Sequence, residues 1–155
     1  GKNCFVYKNY LKVSYYNNLC KYNYVVYHVY PCSFSDCLVS IVTSSNSKFF
    51  IFGEIKIFKD SEKSDSSFFT KSILFSDKSF VKVIPKLEIN ANNIKCKHGV
   101  SLGGLNEDML LYMFARGIDY CLAQRLFING FCEVIIKKIK NNILFFYIKS
   151  FIKEF

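Results

Sequence analysis

The 155-residue chain has no Trp, two Pro and only two Arg, Arg116 and Arg125. It contains no Gly-x-x-x-x-Gly-Lys-Ser/Thr loop, so it carries no phosphate cradle of its own and no ATPase site of that type. Among Cys4, Cys20, Cys32, Cys37, Cys96, Cys121 and Cys132 there is neither a Cys-x-x-Cys pair nor a zinc-finger spacing, and the chain shows no secretory-signal pattern. The expectation is therefore a reducing compartment in which most of the thiols are small buried apolar side chains. No run reaches the roughly 18 to 20 apolar residues that a spanning helix needs. The nearest candidate, Ile143 to Ile148, is stopped by Lys149.

What is present is a basic, aromatic chain. Lys and Arg number 21 against 12 Asp and Glu, a net charge of +9. The lysines are scattered rather than clustered and no nucleic-acid motif accompanies them, so no nucleic-acid partner is expected. Richness in Lys, Asn, Phe, Tyr and Ile reads instead as translation of an AT-rich genome. The chain opens on Gly1 rather than Met and runs straight into a strand-like pattern, so a piece of a longer protein is expected.

Over the first hundred residues, short segments rich in β-branched and aromatic residues predict strands at 10–15, 24–30, 38–42, 49–52, 55–58, 73–75, 80–84 and 87–89. Polar clusters at 44–48 and 60–67 separate them, at intervals too short for crossover helices. Several strands are apolar on both faces, as in a solenoid or a sandwich. Periodicity does not choose between these two, and no strict short repeat is visible.

After Gly99 the pattern turns helical. Asn106 can cap a helix with Glu107 and Asp108 in its first turn and Leu110, Met113 and Phe114 at helical spacing, and Gly117 suits its C-terminal cap. Asp119 can open a second helix through Leu122, Leu126 and Phe127 to Ile135, with Lys137, Lys138 and Lys140 in its closing turns. Helix capping accounts for Glu107 and Asp108 without an acid/base role, since adjacent helical residues do not face each other. His28 reads as an ordinary strand side chain, and Asp36-Cys37 has no accompanying base. Cys96 and His98, two apart on an extended segment, can present a thiol and an imidazole on one face. Those groups suit iron, zinc or a cluster, yet two ligands do not close a site.

The stretch Pro85-Lys86-Leu87-Glu88-Ile89, then Cys96-Lys97-His98-Gly99-Val100-Ser101-Leu102-Gly103, then Leu111-Tyr112-Met113-Phe114-Ala115-Arg116-Gly117-Ile118 resembles, in this order, the SufB/SufD family of the SUF iron–sulfur cluster assembly system. The likeness continues through Ala123 and Ile128-Asn129-Gly130-Phe131. Upstream, Phe52-Gly53-Glu54-Ile55-Lys56-Ile57 and Ser72 to Lys78 are similar to two further family strands, so coverage runs from about Phe52 to Glu133.

That resemblance implies a mainly β fold: the last rungs of a right-handed parallel β-helix over residues 1–103, followed by a small C-terminal helical domain over 104–155. It implies a non-catalytic subunit that pairs with a SufB-type protein through the β-helix and with a SufC-type ATPase through the C-terminal helices. An iron–sulfur cluster or iron would be held transiently at the subunit interface, with His98 and Cys96 as metal ligands and Arg116, Gly117, Leu122, Leu126 and Phe131 as the partner-binding surface. The Cys96-x-His98-Gly99 form and Thr70, at the place of the SufB type's proposed cluster cysteine, are SufD-like, whereas Asn129-Gly130-Phe131-Cys132 is SufB-like. A SufD-type subunit is therefore expected, with a SufB-type scaffold as the alternative. Composition and resemblance together place it in a plastid stroma, that of an apicomplexan apicoplast, or otherwise in the cytosol. Outside the family, the readings are a Cys/His metal-dependent hydrolase and a membrane-surface module resting on the basic apolar tail.

Overall fold

The computed structural model describes residues 2–14, 16–104 and 107–137. Among these described residues seven ten-residue strands come first: β1 (Phe5–Ser14), β2 (Leu19–His28), β3 (Phe34–Thr43), β4 (Lys48–Ile57), β5 (Asp65–Leu74), β6 (Phe80–Ile89) and β7 (Lys95–Gly104). Two helices follow, α1 (Glu107–Ala115) and α2 (Tyr120–Ile136). Odd strands form one sheet in the order β1-β3-β5-β7 and even strands a second in the order β2-β4-β6, with parallel pairing between registered neighbours. A chain that alternates in this way between two parallel sheets is a β-solenoid of about three turns. The chain divides into two compact units, Gly1–Gly103 and Gly104–Phe155.

The repeat that no sequence motif shows is present in the register. Phe5 pairs with Phe34 and Phe34 with Asp65, offsets of 29 and 31; Leu19 pairs with Lys48 and Lys48 with Phe80, offsets of 29 and 32. The corners repeat as well. Asn3, Cys32 and Lys63, each just before an odd strand, all take a left-handed backbone with φ of 56°, 56° and 57°. Three unrelated side chains thus occupy one structural corner, at a conformational cost the coil's hydrogen bonds offset. Cys32 donates to the Glu62 carbonyl at 3.0 Å and Lys63 to that of Asn93 at 2.6 Å, linking successive turns.

Inward residues of both sheets make one core. Tyr24, Phe49, Ile51, Ile55 and Ile57 of the even sheet meet Cys37, Val39, Ile41 and Phe68 of the odd sheet. The rings of Tyr24 and Phe68 stack at 5.5 Å with only 5° between their planes. Gly53 makes this possible, because a Cβ there would lie 2.3 Å from the Phe68 ring. Both Gly53 and Pro85, which face each other in the ladder, lie inside strands where the sequence pattern had predicted gaps. Pro85 is tolerated because β6 is the edge of its sheet, where a missing donor need not break the ladder.

Two other expectations are corrected. The polar cluster 60–67 is not all turn, since Asp65–Ser67 begin β5. Serines go inside here because they pair with the turn before: Ser33 Oγ lies 2.9 Å from Ser64 Oγ, and Ser35 Oγ 2.7 Å from Ser66 Oγ. Nor does strand character end at Gly99, as β7 continues to Gly104. Two of the caps expected for the helices are in place: Gly117 has φ +79°, Ile118 N–H donates to Met113 at 3.1 Å and Gly117 N–H to Phe114 at 2.9 Å. This is the glycine-terminated pattern that satisfies the last carbonyls of a helix. Asp119 caps α2, its carboxylate accepting from Leu122 N–H at 2.8 Å. The expected cap Asn106 and the closing lysines Lys138 and Lys140 lie outside the described residues.

Candidate functional site

The terminal odd strand carries the Cys96-x-His98 pair. Strand alternation puts Cys96, His98, Val100 and Leu102 on one face of β7. Cys96 is half-buried and packs against the solenoid core, whereas His98 is exposed, as are Val100 at 44% and Leu102 at 53%. One face thus runs from core into solvent over the seven residues from Cys96 to Leu102. Gly99, on the opposite face, fits under the Phe69 ring, where a Cβ would come within 2.8 Å.

The two side chains differ in readiness for metal. Burial, with a smaller contribution from the Asp65 carboxylate, pushes the Cys96 thiol up, so it stays protonated at neutral pH. An exposed imidazole can instead turn a ring nitrogen toward whatever docks on β7. Among the described residues no group of three or more His, Cys, Asp or Glu side chains could enclose a metal ion. The chemistry available here is one or two ligands offered outward.

On the helices, Arg116 stacks its guanidinium on the Tyr112 ring at 4.5 Å. Leu122 and Leu126, one turn apart on α2, are 46% and 47% exposed and form an apolar stripe. Phe131 is half-buried and, at 100° per residue, lies about 180° around the helix from Leu122. The structure therefore brings Leu122 and Leu126 together but not Phe131 with them. Cys132 is fully buried, and burial raises its thiol to about 11.

His28 is buried, and both its ring nitrogens are occupied. Nδ1 lies 2.6 Å from Ser33 Oγ and Nε2 2.9 Å from Ser35 Oγ, at the start of the serine stacks. Burial lowers its pKa, partly offset by Asp65, so it is a neutral structural histidine. Sequence reasoning missed this role, because serines 31 residues apart give no local signal that they meet.

Residues 1–131 match the family described as SUF system FeS cluster assembly, SufBD core domain. The chain is 33% identical over 101 residues to the chloroplastic protein ABCI7 of Arabidopsis thaliana, covering 65% of this chain and 21% of that protein. It is 27% identical over 89 residues to the iron–sulfur cluster assembly protein SufD of Escherichia coli, covering 57% and 21%. To the chloroplastic SufBD family protein ABCI8 of Arabidopsis thaliana it is 28% identical over 87 residues, covering 56% and 16%. The chain spans about a fifth of the length of the curated relatives it matches.

Proposed function

Because the chain belongs to the SufBD core domain family of SUF iron–sulfur cluster assembly, we propose that it acts as a SufD-type, non-catalytic subunit that offers His98 as an open ligand to a cluster completed by a partner. The observation that carries this reading is the exposed His98 on the terminal solenoid strand, within the Cys-x-His-Gly form. The partners are a SufB-type subunit met through the solenoid and a SufC-type ATPase met through the helices around Arg116, Gly117, Leu122, Leu126 and Phe131. The cluster or iron is cargo, shared at the interface. Cys96 serves first as packing and becomes a ligand only where a metal drives off its proton. Support for a plastid location comes from the AT-rich composition and from relatives named chloroplastic. The SufB-type alternative rests on the Asn129 to Cys132 likeness, in which Cys132 is fully buried; the Cys96-x-His98-Gly99 form and Thr70 favour the SufD type.

The test is iron and sulfide content of anaerobically purified complexes of this chain with a SufB-type and a SufC-type protein. His98→Ala should leave association intact and remove most of the cluster, since truncating an exposed side chain opens no cavity. Cys96→Ser should reduce cluster content less. Wild-type cluster levels in the His98→Ala complex would defeat the assignment.

A further inference from the structure

The outer face of the even sheet carries an exposed patch of lysines and apolar side chains away from the His98 face. Strand alternation turns Leu19, Lys21 and Asn23 of β2, Lys48, Phe50 and Phe52 of β4, and Phe80, Lys82 and Ile84 of β6 outward. The register aligns them in three rows: Leu19, Lys48 and Phe80; Lys21, Phe50 and Lys82; Asn23, Phe52 and Ile84. The grid measures about 10 by 13 Å from ordinary strand and residue spacings. Leu19 is 67% exposed, Phe80 45% and Ile84 44%, while Phe50 and Phe52 are half-buried between them. Phe50 and Phe80 touch, with ring centroids 5.8 Å apart.

The charges on this face are segregated. In the two rows that follow, Glu54 pairs with Lys86 at 2.7 Å and Glu88 with Lys56 at 2.6 Å, so its acids are already engaged. Lys21, Lys48 and Lys82 form no ion pair among the described residues and are exposed. Three such cations beside an apolar strip call for carboxylates and apolar side chains together on one face of a partner.

We propose that this face docks an acidic, amphipathic segment of a partner polypeptide that carries both kinds of side chain on one face, its apolar side chains on Phe50, Phe52 and Ile84 and its carboxylates on Lys21, Lys48 and Lys82. A polypeptide fits better than a bilayer. The recessed Phe50 and Phe52 provide no wedge to insert between lipids, and with the charges of the next two rows paired, only three cations would face a membrane lying flat on this sheet. An extended segment of about five residues spans the three rows at two residues per row.

The probe is a fluorescein-labelled twelve-residue peptide built from alternating Glu-Glu and Leu-Phe pairs, so that each face of the extended chain carries both kinds of side chain, titrated with the full chain and followed by anisotropy. Binding should weaken at least tenfold in the Lys21→Glu/Lys82→Glu variant and fall with added salt. It should be unchanged in the Lys59→Glu/Lys71→Glu control, which has the same net charge. Lys21→Gln/Lys82→Gln should also weaken it, with an unaltered circular dichroism melt showing that the fold is kept. Equal loss in the control, or equal binding of a peptide with Gln in place of Glu, would overturn the proposal. So would anionic phosphatidylglycerol vesicles binding through Lys21 and Lys82 while the peptide does not.

Discussion

The solenoid and the helix pair are stabilised in different ways. In the solenoid the decisive contacts join residues far apart in the chain: the ladder at offsets of 29 to 32, the serine stacks at 31 and the Tyr24–Phe68 pair at 44. In the helix pair the decisive hydrogen bonds span five residues or fewer, and many large apolar side chains remain exposed, Leu111 at 69% and Tyr112 at 56% among them. A coil stabilised by neighbouring turns should lose stability as a unit when one rung is damaged. Helices that bury a narrow face depend more on their caps and should fray locally.

The largest break should come from Phe68→Ala, which removes a fully buried ring that both sheets enclose and should cost about 3–5 kcal/mol in denaturant unfolding. Gly53→Val attacks the same place from the other side. With the ring held against Tyr24, over-packing should cost about 1–3 kcal/mol, and pairing it with Phe68→Ala should give less than the sum, because the ring it strikes is gone.

On the helical side, Gly117→Val puts a β-branched residue at φ +79° and should cost about 1–2 kcal/mol. Nothing within 4 Å opposes the new Cβ, so the cost is conformational. Amide exchange should quicken at the end of α1 and stay unchanged in β3 to β5; equal quickening in both would mean that the two units do not differ in this way.

The solenoid should also respond to pH through His28. Its folded pKa lies below the ordinary value, so the unfolded chain takes up the proton more readily. Stability is fully present above about pH 6.5 and is lost as pH falls through the lower folded pKa, at no more than about 1.4 kcal/mol per pH unit from one proton. His28→Gln should flatten that slope between pH 7 and 5 in thermal melts. The smallest effect, about 1 kcal/mol or less, is expected for Asp119→Ala, which deletes an exposed cap of α2; loss of helical circular dichroism without a shift in solenoid unfolding would confirm its local reach.

The same difference in range explains what could be read from the chain. Gly117 and Asp119 were recognisable as caps because a cap depends on neighbours within one turn of helix. The Cys96-x-His98 pair was recognisable because a short ordered motif carried it. Propensity alone left gaps around Gly53 and Pro85, which the family resemblance had bridged with strands, because Gly53 is explained only by a ring 15 residues later in the chain. The serines of β5 looked like turn for a similar reason, as their hydroxyl partners lie a full coil turn away.

Local sequence thus determined the β-rich character of the first hundred residues, the helix ends and the family motif, because propensity, capping and motif recognition use adjacent residues. Only the tertiary structure decided that Asn3, Cys32 and Lys63 share one corner and that Cys96 turns to the core while His98 stays exposed. It also set Lys21, Phe50 and Lys82 in one row. These depend on coil turns of unequal length, 29 to 32 residues, and a spacing that varies by a few residues leaves no periodic trace in sequence while the hydrogen-bonded ladder holds the strands in register.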